Sequence, residues 1–192
     1  MAERKTLILN VNDDMASLYT TTRTLKQAGF DVAEALSGQQ ALQKAFDLMP
    51  DLVILDVKLP DIDGFEVARR LKADRKTAVI PLVHLSATYR DTKAHVTGLE
   101  SGAEGYLTMP VEPPVLIATI RTLLRSRVAE AQVVQAGKEW TATFDAISNG
   151  ICLVDADGII ERTNAGMAKM LRVPSDEIIG RKIGRASCRE RV

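Results

Sequence analysis

Short apolar runs alternate with longer amphipathic stretches over residues 7–127. Five runs have the length of strands: residues 7–11, 31–35, 52–55, 79–85 and 105–107. The first, third and fourth are nearly continuous in branched apolar residues, which is typical of strands buried on both faces of a sheet. Apolar positions at three- and four-residue steps predict helices between them. The predicted helices cover residues 15–28, 37–49, 64–71 and 91–101, and a fifth begins after Pro114.

This alternation predicts an α/β fold, a parallel sheet with helices on both faces and ligands at the carboxyl ends of its strands. The polar residues at those ends are Asn12, Asp13, Asp14, Asp56 and Ser86. Converging carboxylates repel one another and favour a hard divalent cation such as Mg²⁺, while a hydroxyl could bind a phosphoryl oxygen. A single aspartate at a strand end is more typical of a turn or helix cap. The whole set of residues together favours a binding site for a divalent cation and a phosphoryl group.

These residues lie in four segments that resemble a response-regulator receiver domain: residues 9–14, 56–64, 85–87 and 106–110. Asp13 and Asp56 are 43 residues apart, and Asp56 and Ser86 are 30 apart, which also fits that family. The resemblance implies a flavodoxin-like, doubly wound, five-stranded parallel sheet, and we assign the receiver domain to residues 1–127. It covers roughly the first two thirds of the chain.

The resemblance also implies a role for each site residue. Asp56 would accept a phosphoryl group from a phosphohistidine on a histidine kinase or a phosphotransfer protein. Ser86 would hydrogen-bond the aspartyl phosphate, and Tyr106 would act as an aromatic switch. Mg²⁺ would be held by Asp13, Asp56, the backbone carbonyl of Lys58 and, through water, Asn12. Transfer of this kind requires mainly positioning and charge neutralisation.

Two positions depart from the family pattern. Asn12 stands where receivers usually carry a first acidic residue, so we expect weaker Mg²⁺ binding; Asp14 could restore the pair, but the spacing favours Asn12 and Asp13. Met109 replaces the family's lysine before Pro110, which removes a charge-assisted hydrogen bond worth roughly 1.5–3 kcal/mol. The bond between Met109 and Pro110 still resembles the family's cis peptide position.

These departures leave two hypotheses open. In the first, Lys58 or Arg90 replaces the missing cation and the domain is a phosphorylation switch. In the second, the domain is a degenerate pseudo-receiver that acts by protein contact alone. His84 is expected to be a core residue and His95 a solvated one, and neither resembles the phosphoacceptor histidine of a kinase.

A helical pattern continues over residues 115–143, beyond the end of a receiver. Its apolar positions are Ile117, Ile120, Leu124, Val128, Ala131 and Val134. This pattern fits one long solvated helix packed on the first domain, or a parallel coiled coil that would join two copies of the chain. Gly137 weakens the pattern. We assign residues 128–139 to a linker helix, with a homodimer through it as one interpretation.

Residues 140–182 resemble the first half of a PAS sensor domain. Asp157 and Gly158 between two apolar runs predict a hairpin, and residues 165–171 predict a helix. Half of such a sheet cannot bury its core, so this segment should be only marginally stable alone. No residue in it supports the binding of haem or another ligand. A receiver followed by PAS resembles the N-terminal part of a hybrid sensor histidine kinase, although no kinase core occurs in this sequence.

Composition and charge bear on the class of protein to which the chain belongs. The chain has 192 residues, of which 46% are hydrophobic, and its 25 basic residues balance 25 acidic ones, so its charge does not indicate nucleic-acid binding. Cys152 and Cys188 lack metal-ligand or disulfide spacing. No signal peptide or membrane-spanning run is present, so we expect a soluble cytoplasmic chain. Residues 183–192 look non-native, because they resemble the translation of a sequencing adapter. We therefore assign them to neither domain.

Overall fold

The computed structural model of the chain describes residues 5–86 and 101–183. The chain divides into two compact units, residues 1–128 and 129–192. Several predicted features lie outside the described residues. These are most of the helix over residues 91–101, Arg90, His95, and the tail from residue 184 with Cys188.

The first unit is built on five strands. These are β1 (Leu7–Val11), β2 (Asp31–Ala35), β3 (Leu52–Asp56), β4 (Leu82–Ser86) and β5 (Gly105–Thr108). All neighbouring strands are parallel, in the order β2-β1-β3-β4-β5. Helices α1 (Met15–Gln27), α2 (Gly38–Leu48), α3 (Gly64–Ala73) and the start of α4 (Pro113–Ala146) accompany them. The predicted flavodoxin-like, doubly wound parallel sheet is confirmed.

Alternate residues of the central strands feed two separate apolar clusters, one on each face of the sheet. The first core cluster joins Leu9 and Val53 to Ala41 of α2 and Val67 of α3. The second core cluster joins residues such as Ile54 to Leu25 of α1 and to Leu116 and Ile120 of α4. This two-sided burial explains why the strand segments are continuously apolar rather than alternating.

The predicted start of the fourth strand was wrong. The sequence predicted a strand from Val79, whereas β4 begins at Leu82. Pro81 has no backbone N–H to give to a neighbouring strand, and the Ile80 amide bonds instead to the Thr77 carbonyl at 2.9 Å in a turn. Branched apolar residues before Pro81 therefore belong to the connection and not to the strand.

Helix α4 is one continuous helix of 34 residues that runs through Gly137 without a break. Its first turns belong to the second core cluster, where Ile120 is fully buried. By contrast, every residue over 128–143 is exposed, with Val133 at 74%. The apolar stripe predicted along the linker is therefore divided: Ile117, Ile120 and Leu124 pack on the sheet, and only the part from Val128 onward is free within the described residues.

None of the helices in the described part of the chain combines the length and the apolar character that a membrane span requires.

The second unit contains a hairpin followed by two short helices. Strands β6 (Cys152–Val154) and β7 (Ile160–Thr163) pair antiparallel, and helices α5 (Ala165–Leu171) and α6 (Ser175–Ile178) follow. Gly158 lies in the turn with φ +76°, a backbone conformation that glycine adopts without strain. The predicted Asp157–Gly158 hairpin and the helix over residues 165–171 are both confirmed.

Asn164 is the fully buried centre of this unit. Its amide nitrogen donates to the carbonyls of Phe144, Ile147 and Asn149, each at 3.0 Å. Its amide oxygen accepts the backbone N–H groups of Ile151 and Met167, both at 2.9 Å. One side chain thus joins the end of α4, the start of the hairpin and the first turn of α5.

A second contact holds the hairpin to α4 within this unit. The rings of Trp140 and Phe144 stack with centroids 4.7 Å apart, and the guanidinium of Arg162 on β7 lies 4.4 Å from the Trp140 centroid. Arg162 also donates to the Thr141 hydroxyl at 3.4 Å. Cation–π contacts of this kind stabilise by about 0.5–1 kcal/mol at exposed sites.

Replacing Asn164 with alanine should lower the free energy of unfolding of the second unit by about 2–4 kcal/mol, because buried backbone groups would lose their partners. Trp140, the single tryptophan of the chain, lies in this unit, so denaturant unfolding followed by tryptophan fluorescence measures the effect. Asn149→Ala, at an exposed position of the same segment, is the matched control. Equal midpoints for the two variants would contradict this role of Asn164.

Candidate functional site

The site begins where β1 ends. Asn12 is half-buried, and its side-chain oxygen accepts the Asp14 backbone N–H at 2.8 Å. Asp13 is exposed in the same connection. Asp14 is the N-cap of α1: its carboxylate accepts the Ser17 N–H at 2.9 Å, and hydrogen bonding by Ser17 lowers its pKa. Because Asp14 caps the helix, Asp13 is the carboxylate of this connection that interacts with Asp56.

Asp56 is the last residue of β3 and is half-buried. Burial raises the pKa of its carboxyl group, and the nearby charge of Asp13 acts in the same direction. The Lys58 and Val57 amides and the charge of Lys58 oppose this shift. Asp56 Oδ1 accepts the Lys58 N–H at 3.3 Å. Two carboxylates thus lie close together where the strand order reverses between β1 and β3, the usual place for a ligand in such sheets.

The donor set of this edge suits a hard cation with several water ligands. It offers the carboxylates of Asp13 and Asp56, an amide oxygen from Asn12 and backbone carbonyls, which are ligands that Mg²⁺ prefers. Among residues 5–86 and 101–183 there is no group of three His, Cys, Asp or Glu side chains able to hold a metal. An ion here would therefore need water and backbone oxygen to complete its coordination.

Ser86 and Tyr106 lie on the two strands that follow in the sheet. Ser86 ends β4 and is only 4% exposed, and its backbone carbonyl accepts the Met109 N–H at 2.8 Å. Tyr106 is half-buried on β5, opposite His84 in the register. Asp56 pairs with Leu85, the residue before Ser86, so the strand ends that carry Asp56 and Ser86 are neighbours.

Met109 does not extend the polar site. It is partly buried and packs against the second core cluster, and its peptide bond to Pro110 is cis, as predicted. The position that carries a lysine in the receiver pattern is therefore part of the apolar packing.

His84 lies between Tyr106 and the start of α3. Its ring contacts Phe65 edge-on at 5.0 Å and lies 6.2 Å from the Tyr106 ring, and its Nε2 is 3.3 Å from the Ser101 hydroxyl oxygen. His84 is fully buried, as predicted, and burial lowers its pKa to about 4, although the Leu55 backbone and the Asp63 charge oppose this. No pattern in the sequence indicated that this core histidine would lie beside Tyr106.

Sequence reasoning also missed the role of Asp61. Its carboxylate accepts the N–H groups of Gly38 and Gln39, at 2.8 and 2.9 Å. An aspartate just before α3 would be expected to cap α3, but Asp63 does so, accepting the Phe65 N–H at 2.7 Å. The two amides that bind Asp61 lie 23 and 22 residues earlier in the sequence, and no local pattern could have indicated that contact.

Two family profiles match the chain. The profile of the response regulator receiver domain matches residues 8–121, and that of the PAS domain matches residues 139–191. The predicted order of a receiver followed by a PAS segment is therefore confirmed.

Characterised relatives share the first of these regions. The DNA-binding dual master transcriptional regulator RpaA of Synechocystis is 40% identical over 118 residues, which is 62% of this chain and 48% of that protein. The chain thus spans about half the length of the curated relatives it matches.

Solved structures show the same fold. A CheY-like response regulator receiver domain protein from Methanospirillum hungatei has a TM-score of 0.62 at 28% identity, covering 66% of this chain and 99% of that one. The signal receiver domain of a signal transduction histidine kinase from Syntrophus aciditrophicus has a TM-score of 0.59 at 29% identity, covering 63% and 91%.

The buried His84 predicts a loss of stability in mild acid. Its folded pKa of about 4 lies below its ordinary value of 6.5, so only the unfolded chain takes up this proton as the pH falls from 6.5 towards 4. Stability is full above pH 6.5, and up to roughly 3 kcal/mol is lost across this window. His84→Gln should remove this component of the pH dependence.

Urea unfolding followed by far-UV circular dichroism across this pH window measures the effect. The chain has only two histidines, so His95→Gln is the matched control and should keep the wild-type dependence. A His84→Gln variant that loses stability in acid as steeply as the wild type would contradict the assignment.

Proposed function

Because the chain belongs to the response regulator receiver family, we propose that Asp56 accepts a phosphoryl group from a phosphohistidine in two-component phosphorelay signalling. One observation carries the proposal. Asp56 is a half-buried carboxylate at the end of β3, where the strand order reverses, with the charge of Asp13 close by. Ser86 ends the neighbouring strand. A histidine kinase or a phosphotransfer protein is the proposed donor.

In the proposed reaction, a carboxylate oxygen of Asp56 attacks the phosphorus atom of phosphohistidine. The P–O bond to Asp56 forms as the P–N bond to the imidazole breaks, and the departing nitrogen keeps the electron pair and takes a proton from solvent. Such a transfer depends on positioning and electrostatic stabilisation more than on covalent help from the protein. Ser86 would donate a hydrogen bond to a phosphoryl oxygen, and Tyr106 would respond to that bond.

We assign the proposed Mg²⁺ ligands to Asp13, Asp56, the backbone carbonyl of Lys58 and, through water, Asn12. When bound, Mg²⁺ would neutralise charge on the phosphoryl oxygens. Asn12 contributes no charge, and its oxygen already accepts the Asp14 N–H. Its contribution would therefore be to orient a water molecule, and we expect a lower Mg²⁺ affinity than in a receiver with two acidic residues at this end of β1.

Lys58 is our candidate for the cation that Met109 cannot supply. Its side chain is exposed, and its charge lowers the pKa of Asp56, which means that the two groups interact. Arg90, the other candidate from the sequence, lies outside the described residues. A second function, that of a pseudo-receiver acting by protein contact alone, is favoured by the apolar packing of Met109.

We propose that this chain is part of a hybrid sensor histidine kinase. The support is the PAS match that follows the receiver and the likeness to the receiver of a histidine kinase. The regulator from Synechocystis is instead described as DNA-binding. Sequencing the gene beyond the codon for Ile183 tests the proposal, because a kinase core should follow the remainder of the PAS domain.

We also propose that the exposed part of α4 pairs with a second copy of the chain and passes the state of the receiver onward. Val128 and Val134, two positions of the predicted apolar stripe, are both more than half exposed on this helix. Isolated apolar side chains on a solvated helix gain stability by packing against a partner helix.

Phosphorylation is the first test. Incubation of the chain with Mg²⁺ and a small phosphodonor should give an acid-stable, base-labile adduct, and Asp56→Asn should abolish it. Lys58→Ala should slow its formation by roughly tenfold or more, because a charge-assisted hydrogen bond of about 1.5–3 kcal/mol would be lost. Mass spectrometry and radiolabel incorporation measure the product and its rate.

Arg90→Ala is the companion variant, and an unchanged rate in both lysine and arginine variants would refute the replacement of the missing cation. Absence of an adduct from both a small donor and a phosphohistidine protein would favour the pseudo-receiver.

Sedimentation equilibrium tests the dimer. The wild-type chain should associate, and Val134→Lys should weaken association at least severalfold, because a charge in an apolar seam must lose water. Ala129→Lys, at an exposed position about 140° around the helix from Val134, adds the same charge as a control. A monomeric wild-type chain, or equal association of both variants, would contradict the pairing.

A further inference from the structure

Asp61 closes the amino-terminal end of α2 with a carboxylate from a distant part of the chain. Its two oxygens accept the Gly38 and Gln39 N–H groups at 2.8 and 2.9 Å, while the Ser37 hydroxyl accepts the next amide, that of Gln40, at 3.3 Å. The first three amides of α2, which no helical carbonyl can satisfy, thus all have acceptors. Two of the three bonds come from the β3–α3 loop, residues 57–63.

The strength of this tie is visible in the titration of the carboxyl group. The Gln39 amide lowers the pKa of Asp61 to about 2; burial opposes this shift, and the Gly38 amide adds to it more weakly. A carboxylate with a depressed pKa contributes stability above its ordinary pKa and loses it only as the pH falls through about 2. The tie is therefore fully formed at any physiological pH.

The β3–α3 loop is also held by packing. A side chain at Gly38 would lie 2.8 Å from Val67 and 3.0 Å from Ile62, so the start of α2 approaches the loop as closely as glycine permits. Leu59 and Ile62 pack against the first core cluster.

At its other end the loop is fixed to the strand that carries Asp56. The Gly64 N–H donates to the Val57 carbonyl at 2.9 Å, and a Cβ at Gly64 would lie 2.1 Å from the Asp56 carbonyl oxygen. The Lys58 carbonyl therefore lies between two fixed points, the strand end at Asp56 and the carboxylate of Asp61.

We infer that Asp61 is a positioning residue: by tying the β3–α3 loop to α2, it holds the Lys58 carbonyl in place as a magnesium ligand. The inference rests on the proposed function, since it assumes that the site binds Mg²⁺. Asp61 itself touches neither the metal nor the phosphoryl group in this scheme. Groups that orient metal ligands commonly change affinity by about 10- to 100-fold when removed.

Asp61→Ala tests the inference in the full chain. The dissociation constant of Mg²⁺, measured by isothermal titration calorimetry, should rise about tenfold. Asp61→Asn should have a smaller effect, because one amide oxygen replaces two carboxylate oxygens. The rate of adduct formation should fall at low Mg²⁺ and recover at saturating Mg²⁺, which separates a metal-positioning role from a general loss of activity.

Asp74→Ala is the matched control, because Asp74 also accepts a backbone amide, that of Lys76 at 2.8 Å, but follows α3 instead of preceding it. It should keep the wild-type Mg²⁺ affinity. Asp61 variants that melt at a lower temperature but bind Mg²⁺ like the wild type would overturn the inference, and Asp61→Asn decides it if Asp61→Ala does not fold. A wild-type chain that binds no Mg²⁺ would instead contradict the proposed function itself.

Discussion

Burial of β1 and β3 on both faces is the constraint from which the site follows. The strands are parallel and are covered by helices on both faces, so their carboxyl ends emerge together at one edge of the sheet. That edge is where the chain leaves the core, and polar residues can end a strand there. The carboxylates of Asp13 and Asp56 are neighbours for this reason. Burial raises the pKa of Asp56, and the repulsion by Asp13, which adds to that shift, is a cost of the arrangement. A bound cation would remove that cost.

Met109 and Asn12, the two departures from the receiver pattern, each make a structural contact, and each removes a charged group from the site. Met109 gains contact with the second core cluster, while the site loses a cation. Asn12 keeps its hydrogen bond to the Asp14 amide, while the site loses a negative charge. Together they keep the net charge of the site close to that of the receiver pattern, but they remove both a metal-attracting and a phosphoryl-attracting group.

Most of the fold could be predicted because strand and helix periodicity is local. Strands β1, β3 and β5 and the hairpin after Val154 were found from apolar runs and turn residues, and so were the residues at the strand ends. The start of β4 was wrong because apolar character hides the effect of Pro81. The contacts of Asp61 and Asn164 could not be predicted, because their partners lie up to 23 and 20 residues away. Contacts of this range depend on packing and leave no periodic signal.

The double anchoring of the β3–α3 loop has a consequence for how this sequence can change. Because Gly64 has no room for a side chain and Asp61 must reach the amides of α2, the number of residues between them and Asp56 is fixed. An inserted or deleted residue would break one anchor or the other, although loops usually tolerate such changes. Substitutions at Gly38 and Asp61 should likewise be coupled in evolution. The Asp61 carboxylate accepts the Gly38 N–H, and a side chain at Gly38 would collide with Ile62 beside Asp61.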